Sequence, residues 1–317
     1  MTTCGQKIFA SVSVMALAVT AGCGKTHGAN DFDLSGPPGL AEIGNATFSG
    51  IGDQPVRLEG GLWEGKPYVK GGASRPSVGL VDHFILHGDI NGDEVEESAV
   101  LLWESSGGSG TRSHLAVMGR SGKRITNLGT AVVGDRVQVI SGWIIDNEVA
   151  LDLVRAGPDD AACCPTERAV VSWALTTDGL ARTAEQVVGT FSITDLEGPE
   201  WTLAEIGRGG PVPDGISITL TFQGDRVAGS GGCNRYFGTV TSTTPGELAF
   251  SAMGTTQMAC PDPAMGAERK YLRSLARASS YSFVGGRLLL GCDTDDGPVA
   301  LVFNPPRPEE EILVEGP

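Results

Sequence analysis

The clearest pattern of apolar and polar positions lies in the C-terminal third of the chain. Residues 216–222 read ISITLTF, so that Ile, Ile, Leu and Phe share one face while Ser and Thr share the other. Alternation with a period of two predicts a β-strand that packs one face on a core. Similar alternation at residues 281–283, 288–290 and 299–303 predicts three later strands, separated by turns that contain glycine or aspartate.

A helical pattern separates the early strands of this region from the late ones. Asp262 is a suitable N-cap and Pro263 a suitable first helical residue, because proline lacks the N–H that would be unpaired there. The order of three strands, one helix and three strands predicts a small, open, barrel-like sheet covered by the helix. The predicted apolar face holds Met265, Tyr271, Leu272, Leu275, Ala276 and Ser279, and the predicted solvent face holds Glu268, Arg269, Lys270 and Arg273.

Residues 41–190 carry mostly strand patterns and little helix. Ser98–Trp103 is a continuous apolar run, and Glu148–Leu153 alternates so that three aliphatic side chains share one face. Turns rich in glycine, serine and asparagine separate such runs. The pattern predicts an antiparallel β meander, so the fold class of the whole chain is mainly β with minor α.

The N-terminus has the features of an export signal. Lys7 supplies a positive charge, and Ile8–Thr20 is an apolar run too short to span a bilayer comfortably. The small residues Ala and Gly immediately before Cys23 resemble a bacterial lipobox, in which that cysteine is acylated. The alternative is an ordinary secretory peptide. Lipidation of Cys23 predicts a protein anchored to the membrane of the cell envelope, at the outer membrane facing the periplasm or at the cell surface.

Composition and charge set the domain organisation and exclude one class of partner. The chain has 23 Lys and Arg against 38 Asp and Glu, and the resulting formal net charge of -15 argues against binding to nucleic acid. Its 317 residues are enough for about two domains. We predict a signal peptide at 1–22, a flexible tether at 23–40, a β-rich domain at 41–190, a second domain at 191–304 and an acidic tail at 305–317.

Five cysteines follow the predicted signal peptide and the lipidated Cys23. Export places them in an oxidising compartment, where disulfides persist. Because five is an odd number, at least one cysteine is unpaired or pairs with another chain. The adjacent Cys163 and Cys164 either form a vicinal disulfide or pair elsewhere, one of them with Cys292.

The C-terminal third resembles a known family in three features. The segment GSGGCNRY at 229–236, the segment TQMACP at 256–261 and a following glutamate have the joint spacing of the META/HslJ domain family. The resemblance covers residues 194–303. It implies a small mixed α/β domain with an open, barrel-like sheet and one helix, in proteins that are often bacterial envelope lipoproteins and have no established enzymatic activity. The preceding region resembles a less characterised module often found before such domains.

The segment Gly229–Tyr236 also invites two catalytic interpretations. A phosphate-binding loop requires a Gly-Lys-Ser/Thr sequence opening a helix, and a catalytic cysteine requires a histidine base. No such lysine follows, and the four histidines lie outside this domain. We therefore predict a glycine bend and a disulfide between Cys233 and Cys260, worth about 3 kcal/mol. Asn234 and Arg235 either cap buried backbone groups, form an ion pair or bind a partner.

Acidic and amide side chains alternate just before the apolar run Ser98–Trp103. Their oxygens could converge on one cation, which resembles calcium loops of the Asp-x-Asn-x-Asp type. The sequence departs from that type at Glu94, where such loops place glycine. The alternative is an Asx-rich turn before a strand. The candidate calcium ligands are Asp89, Asn91, Asp93 and Glu97.

These observations predict a non-enzymatic envelope lipoprotein with a binding, scaffold or envelope-stress role. We identify no catalytic residue and expect no cofactor other than, at most, calcium. The expected partners are the membrane, through Cys23, and another envelope protein. Two alternatives are a calcium-dependent adhesion module centred on Asp89–Glu97 and an inhibitor of an envelope enzyme. The sequence does not specify the oligomeric state.

Overall fold

The structure is a computed structural model that describes residues 36–306, apart from 109, 162, 208, 209 and 296. Cys23, the predicted signal peptide, most of the tether and most of the acidic tail therefore lie outside the described residues. Within the described residues, no helix is long and apolar enough to cross a membrane.

Two large antiparallel sheets form most of the N-terminal half of the described chain, as the β meander predicted. Neighbours in each sheet are consecutive in sequence, so every connection is a hairpin. The first sheet contains, in spatial order, β3 (Leu62–Glu64), β4 (Ser77–Gly88), β5 (Glu97–Ser105), β6 (Thr111–Ser121) and β7 (Arg124–Asp135). The second contains β8 (Gln138–Ile145), β9 (Glu148–Arg155), β10 (Glu167–Thr176) and β11 (Gly179–Thr190).

The first sheet is buried on both faces, which explains the continuous apolar run in β5. Ala99 and Leu101 belong to the core that this sheet shares with the second sheet. Val100 and Leu102 point the other way and pack against the N-terminal segment, whose Phe48 is fully buried. That segment contains α1 (Leu40–Ile43), β1 (Thr47–Phe48) and β2 (Val56–Arg57).

The C-terminal part is a nearly closed sheet around one helix, and the predicted barrel-like fold is confirmed. Its elements are β12 (Trp201–Ile206), β13 (Thr219–Gln223), β14 (Arg226–Ser230), β15 (Arg235–Thr241), β16 (Ala249–Phe250), β17 (Gly254–Thr255), α2 (Ala264–Leu275), β18 (Ala278–Val284), β19 (Arg287–Thr294) and β20 (Gly297–Asn304). The spatial order of the strands is β16-β15-β14-β13-β12-β20-β19-β18, with β17 beside β15. Hydrogen bonds from Leu248 to Ser279 and from Tyr281 to Gly246 bring the two edges together.

The three strands predicted after the helix are confirmed, whereas the count of three before it was too low. Six strands precede α2 within the described residues. Two of them, β16 and β17, are only two residues long, so alternation has no length over which to appear.

The prediction for the faces of α2 was partly wrong. Glu268 is buried, although we assigned it to the solvent face, while Ala276 and Ser279 are exposed. The helix starts one residue later than predicted, with Pro263 at the N-cap. Asp262 still contributes to the start of the helix, because its carboxylate accepts a hydrogen bond from the backbone N–H of Gly266.

The two predicted domains pack against each other through a shared core. Val154 of β9 and Phe191, which follows β11, belong to the core of the C-terminal sheet. The ring centroid of Phe191 lies 5.0 Å from that of Tyr281. The backbone N–H of Phe283 donates to the side chain of Gln138 over 2.9 Å. The chain boundary near residue 190 is therefore crossed by many contacts.

Buried phenols and a buried thiol predict a loss of stability at high pH. Burial raises the pKa of Tyr236, Tyr271 and Tyr281, and raises the pKa of Cys292 to about 12. Above a pH of about 10 the unfolded chain loses these protons while the folded chain keeps them, so unfolding becomes more favourable. Each group contributes up to about 1.4 kcal/mol per pH unit there. Urea denaturation at a series of alkaline pH values measures this slope, which the double variant Y236F/Y271F is expected to reduce.

Candidate functional site

The side chain of Asn234, in the turn between β14 and β15, is the centre of a cluster of hydrogen bonds that we call the hub. It is 4% exposed. Its Nδ2 donates to Oε1 of Glu268 (2.9 Å) and to the carbonyl of Met258 (3.2 Å), and its Oδ1 accepts from the N–H of Met258 (2.6 Å) and the hydroxyl of Thr256 (2.9 Å). Every polar atom of the side chain is thus used within the protein. The predicted binding role of Asn234 has no free polar atom to act through, and the predicted capping role matches the geometry.

Glu268 of α2 completes this hub from inside the barrel. Its Oε2 accepts the backbone N–H groups of Cys233 (3.2 Å) and Asn234 (2.5 Å). The carboxylate also approaches the backbone so closely that a Cβ at position 231 would lie 2.7 Å from Oε2, which explains glycine at Gly231. The glutamate that follows TQMACP is therefore the acceptor for the Gly-Cys-Asn turn.

The structure pairs four of the described cysteines. Cys233 and Cys260 form a disulfide with a Cα–Cα distance of 5.9 Å, which joins the glycine bend to the segment before α2. Cys163 and Cys164 are bonded to each other in the loop between β9 and β10. Cys292 is buried and unpaired among the described cysteines. Of the alternatives for the adjacent cysteines, the structure therefore has the vicinal disulfide.

Non-reducing peptide mapping of the exported protein tests this pairing. We expect one linked peptide pair that contains Cys233 and Cys260, and one single peptide in which Cys163 and Cys164 lack both thiol hydrogens. Because Cys292 is buried and burial raises its pKa, we expect alkylation of this thiol only after unfolding. A free thiol at Cys233 in the folded protein would contradict the structure.

The outer face of β15 presents side chains that the glycine motif does not use. Arg235, Phe237 and Thr239 point outward, while Tyr236 and Val240 point into the barrel. Phe237 is 64% exposed, although it is a large apolar side chain. Its ring lies against Gly254 of β17, where a Cβ would come within 2.7 Å of a ring carbon.

Two grooves flank Phe237 on this outer face. Both are lined by Phe237, Thr221 and Ala228, so small side chains form their shared floor. Groove A, of about 530 Å³, continues past Arg226 and Thr239 towards Ser251 and Gly254. Groove B, of about 570 Å³, continues past Arg235 and Ser230 towards Ser217 and Glu200.

Sequence reasoning identified Arg235 but missed Phe237. Tyr236 and Phe237 are adjacent aromatic residues, so alternation alone cannot tell which of them faces the core. The register is set by Tyr236, whose hydroxyl lies 2.6 Å from that of Tyr271 and donates to the carbonyl of Thr219. Both partners are distant in sequence, and neither gives a local signal.

The predicted calcium loop is a network of internal hydrogen bonds. The carboxylate of Asp89 accepts the backbone N–H groups of Gly92, Asp93 and Glu94. Glu97 is buried and accepts from the N–H of Ile90 and from the Asn91 amide. Asp93 accepts from the N–H of Val95. These contacts are those of the Asx-rich turn that we gave as the alternative.

Three further observations concern the prediction that the loop Asp89–Glu97 binds a cation. In the described part of the chain, no group of three or more His, Cys, Asp or Glu side chains is arranged to hold a metal ion. Burial raises the pKa of Glu97, which disfavours its charged form. Glu94 has a φ of 67°, so it adopts the left-handed conformation for which calcium loops use glycine. Calcium binding by Asp89, Asn91, Asp93 and Glu97 stays a prediction.

The comparison with protein families agrees with the resemblance in the C-terminal third. The family model of the META domain matches residues 194–303. Among solved structures, the NMR structure of a protein from Burkholderia xenovorans is 26% identical, with a TM-score of 0.29, and the match covers 36% of this chain and 85% of that one. The search of curated proteins returned no match. The C-terminal third of this chain, residues 194–303, is therefore similar to the META domain family.

Proposed function

We propose that this protein is a non-enzymatic lipoprotein of the bacterial cell envelope that binds a partner protein through the outer face of its META domain. The observation that carries the proposal is Phe237, which is largely exposed between grooves A and B. Aromatic residues and arginine are enriched in protein interfaces relative to the rest of the surface. The META domain supports an association with the envelope, and the lipobox-like sequence before Cys23 supports the anchor.

The chemistry of the Gly-Cys-Asn-Arg segment favours binding over catalysis. Cys233 is in a disulfide and so has no thiolate to act as a nucleophile. The Asn234 side chain and the Glu268 carboxylate are used in the internal hub. The described histidines all lie between positions 83 and 114, in the other half of the chain. The groups left exposed on this face, Arg235 and Phe237, are of the types that dominate protein interfaces.

Crosslinking in native membranes, followed by mass spectrometry, tests the proposal. We expect wild-type protein to capture an envelope protein and the Phe237→Ser variant to lose that adduct by about tenfold or more, as for an aromatic hot spot. Val187→Ser is the matched control, because Val187 is also an exposed apolar residue but lies on β11 of the other half. Equal capture by Phe237→Ser, or recovery of a soluble substrate alone, would overturn the proposal.

The anchor is tested separately. We expect Cys23→Ser to move the protein from the membrane fraction to the soluble fraction, because acyl chains supply the membrane affinity. Conservative replacement of Cys4 by Ser is the control and is expected to leave the protein in the membrane fraction. Retention of the Cys23→Ser variant in membranes would show that another segment holds it.

A further inference from the structure

Two arginines that have no partner among the described residues lie on either side of Phe237. Arg226 lines groove A and Arg235 lines groove B. Both are exposed, and neither guanidinium has a hydrogen-bond or ion-pair partner among the described residues. In a chain with a formal net charge of -15, this outer face is a local basic site with an apolar centre. Such a face is complementary to a segment that is acidic at both ends and apolar between them.

The spacing of these three side chains specifies that segment further. In the register of the sheet, Arg226 is opposite Thr239, which is four residues beyond Arg235 on β15. Four residues of strand span about 13 Å, and Phe237 lies midway. An extended segment that runs along β15 has the same rise per residue. It therefore matches the face when it has an acidic residue, then an apolar residue two positions later, then a second acidic residue two positions after that.

The chain itself contains this pattern near its C-terminus. Residues 311–315 read EILVE, with Glu311, Leu313 and Glu315 at alternate positions. We propose that this segment docks along β15 of its own chain, with Glu311 at Arg235, Leu313 on Phe237 and Glu315 at Arg226. The inference rests on the proposed function, because it gives the same outer face an internal occupant that competes with the partner.

The end of β20 lies within reach of groove B. Asn304 pairs with Thr202, and Thr202 pairs with Thr219. The N–H of Ser230 donates to the hydroxyl of Thr219, and Ser230 pairs with Arg235, so Asn304 and Arg235 lie in one row of the sheet. Four strand spacings separate them by about 19 Å. The seven residues from Asn304 to Glu311 span up to about 23 Å when extended. The connection is long enough to place Glu311 at Arg235.

Glu200 supplies an internal check on the electrostatics. It is exposed and lines groove B with Arg235, so its carboxylate repels Glu311. We expect Glu200→Gln to increase docking and Arg235→Glu to decrease it. Both side chains are on the surface, so each variant retains the core, and circular dichroism melting verifies that it is folded.

Photocrosslinking in the full chain tests the docking. Leu313 is replaced by p-benzoylphenylalanine, and the adducts are mapped by mass spectrometry after irradiation. We expect an intramolecular adduct to residues 226–239. We expect Arg235→Glu to lower the yield of this adduct several-fold and Glu200→Gln to raise it. The double variant that combines Arg235→Glu with Glu311→Arg exchanges the two charges and is expected to restore the yield.

Other outcomes overturn the docking and are distinguishable from failure of the proposed function. An adduct between two chains means that a second copy supplies the occupant, and an adduct outside 226–239, or none, means that this segment does not dock. An adduct yield unaffected by Arg235→Glu rejects the ion pairs. Partner capture in membranes is measured in parallel with Leu313→Ser. If the partner is captured but the intramolecular adduct does not form, the docking inference alone is overturned. If the adduct forms but neither the wild type nor Leu313→Ser captures a partner, the proposed function alone is overturned.

Discussion

The Glu268→Gln variant is expected to lose about 3–5 kcal/mol of the free energy of unfolding of the META domain. The carboxylate only accepts hydrogen bonds, and its two oxygens take N–H groups of Cys233 and Asn234 and the Asn234 amide. Glutamine in the same position turns an NH₂ group towards one of these donors, whichever way the amide is oriented. At least one buried N–H then loses its acceptor and meets another donor. Urea denaturation followed by tryptophan fluorescence measures the loss.

The matched control is Glu205→Gln in the same domain. Glu205 is exposed on β12, so the same chemical change is expected to alter the free energy of unfolding by no more than about 0.5 kcal/mol. The contrast separates the buried hub from a general effect of lost negative charge. If both variants unfold at the same urea concentration as the wild type, the hub does not stabilise the domain.

Glu268 also shows where periodicity stops being informative. Helical patterning places a charged residue on the solvent face by default, and for Arg269 and Lys270 that is correct. Glu268 is buried because backbone N–H groups 34 and 35 positions earlier need an acceptor inside the barrel. No local window contains that requirement. The family resemblance did contain it, because its spacing couples the Gly-Cys-Asn turn to a later glutamate.

The strands were more predictable than the site. Alternation identified the core faces of β9, β13, β19 and β20, because one buried face is a local property of a strand. The candidate binding face depends instead on two properties that no sequence pattern carries. One is the choice between two adjacent aromatics at β15, which the Tyr236–Tyr271 contact decides. The other is that, within the described part of the chain, Arg226 and Arg235 have no carboxylate partner, which becomes visible only when the sheet is assembled.

A second buried charge network joins the two halves of the protein. Arg168 of β10 forms a two-bond contact with the carboxylate of Asp152 on β9, at 3.0 and 2.6 Å. Its third nitrogen donates to Asp195 over 2.5 Å, and Asp195 lies in the 3-10 turn Ile193–Leu196 at the start of the META domain. The hydrogen bonds and charge of Asp152, aided by Asp195, hold the pKa of Arg168 above its usual range. Both carboxylates are about nine-tenths buried, so they depend on this one cation.

The free energy of unfolding of the Arg168→Met variant is therefore expected to be about 3–5 kcal/mol lower than that of the wild type, because two buried carboxylates are left without their counterion. Because Asp195 belongs to the junction and Asp152 to the second sheet, we also expect two calorimetric transitions in this variant and one in the wild type. Arg182→Met is the control, since Arg182 pairs with Glu185 on the exposed face of β11 and such pairs contribute at most about 1 kcal/mol. A single, unshifted transition in Arg168→Met would mean that the shared core of Val154, Phe191 and Phe283 couples the two halves without the ionic network.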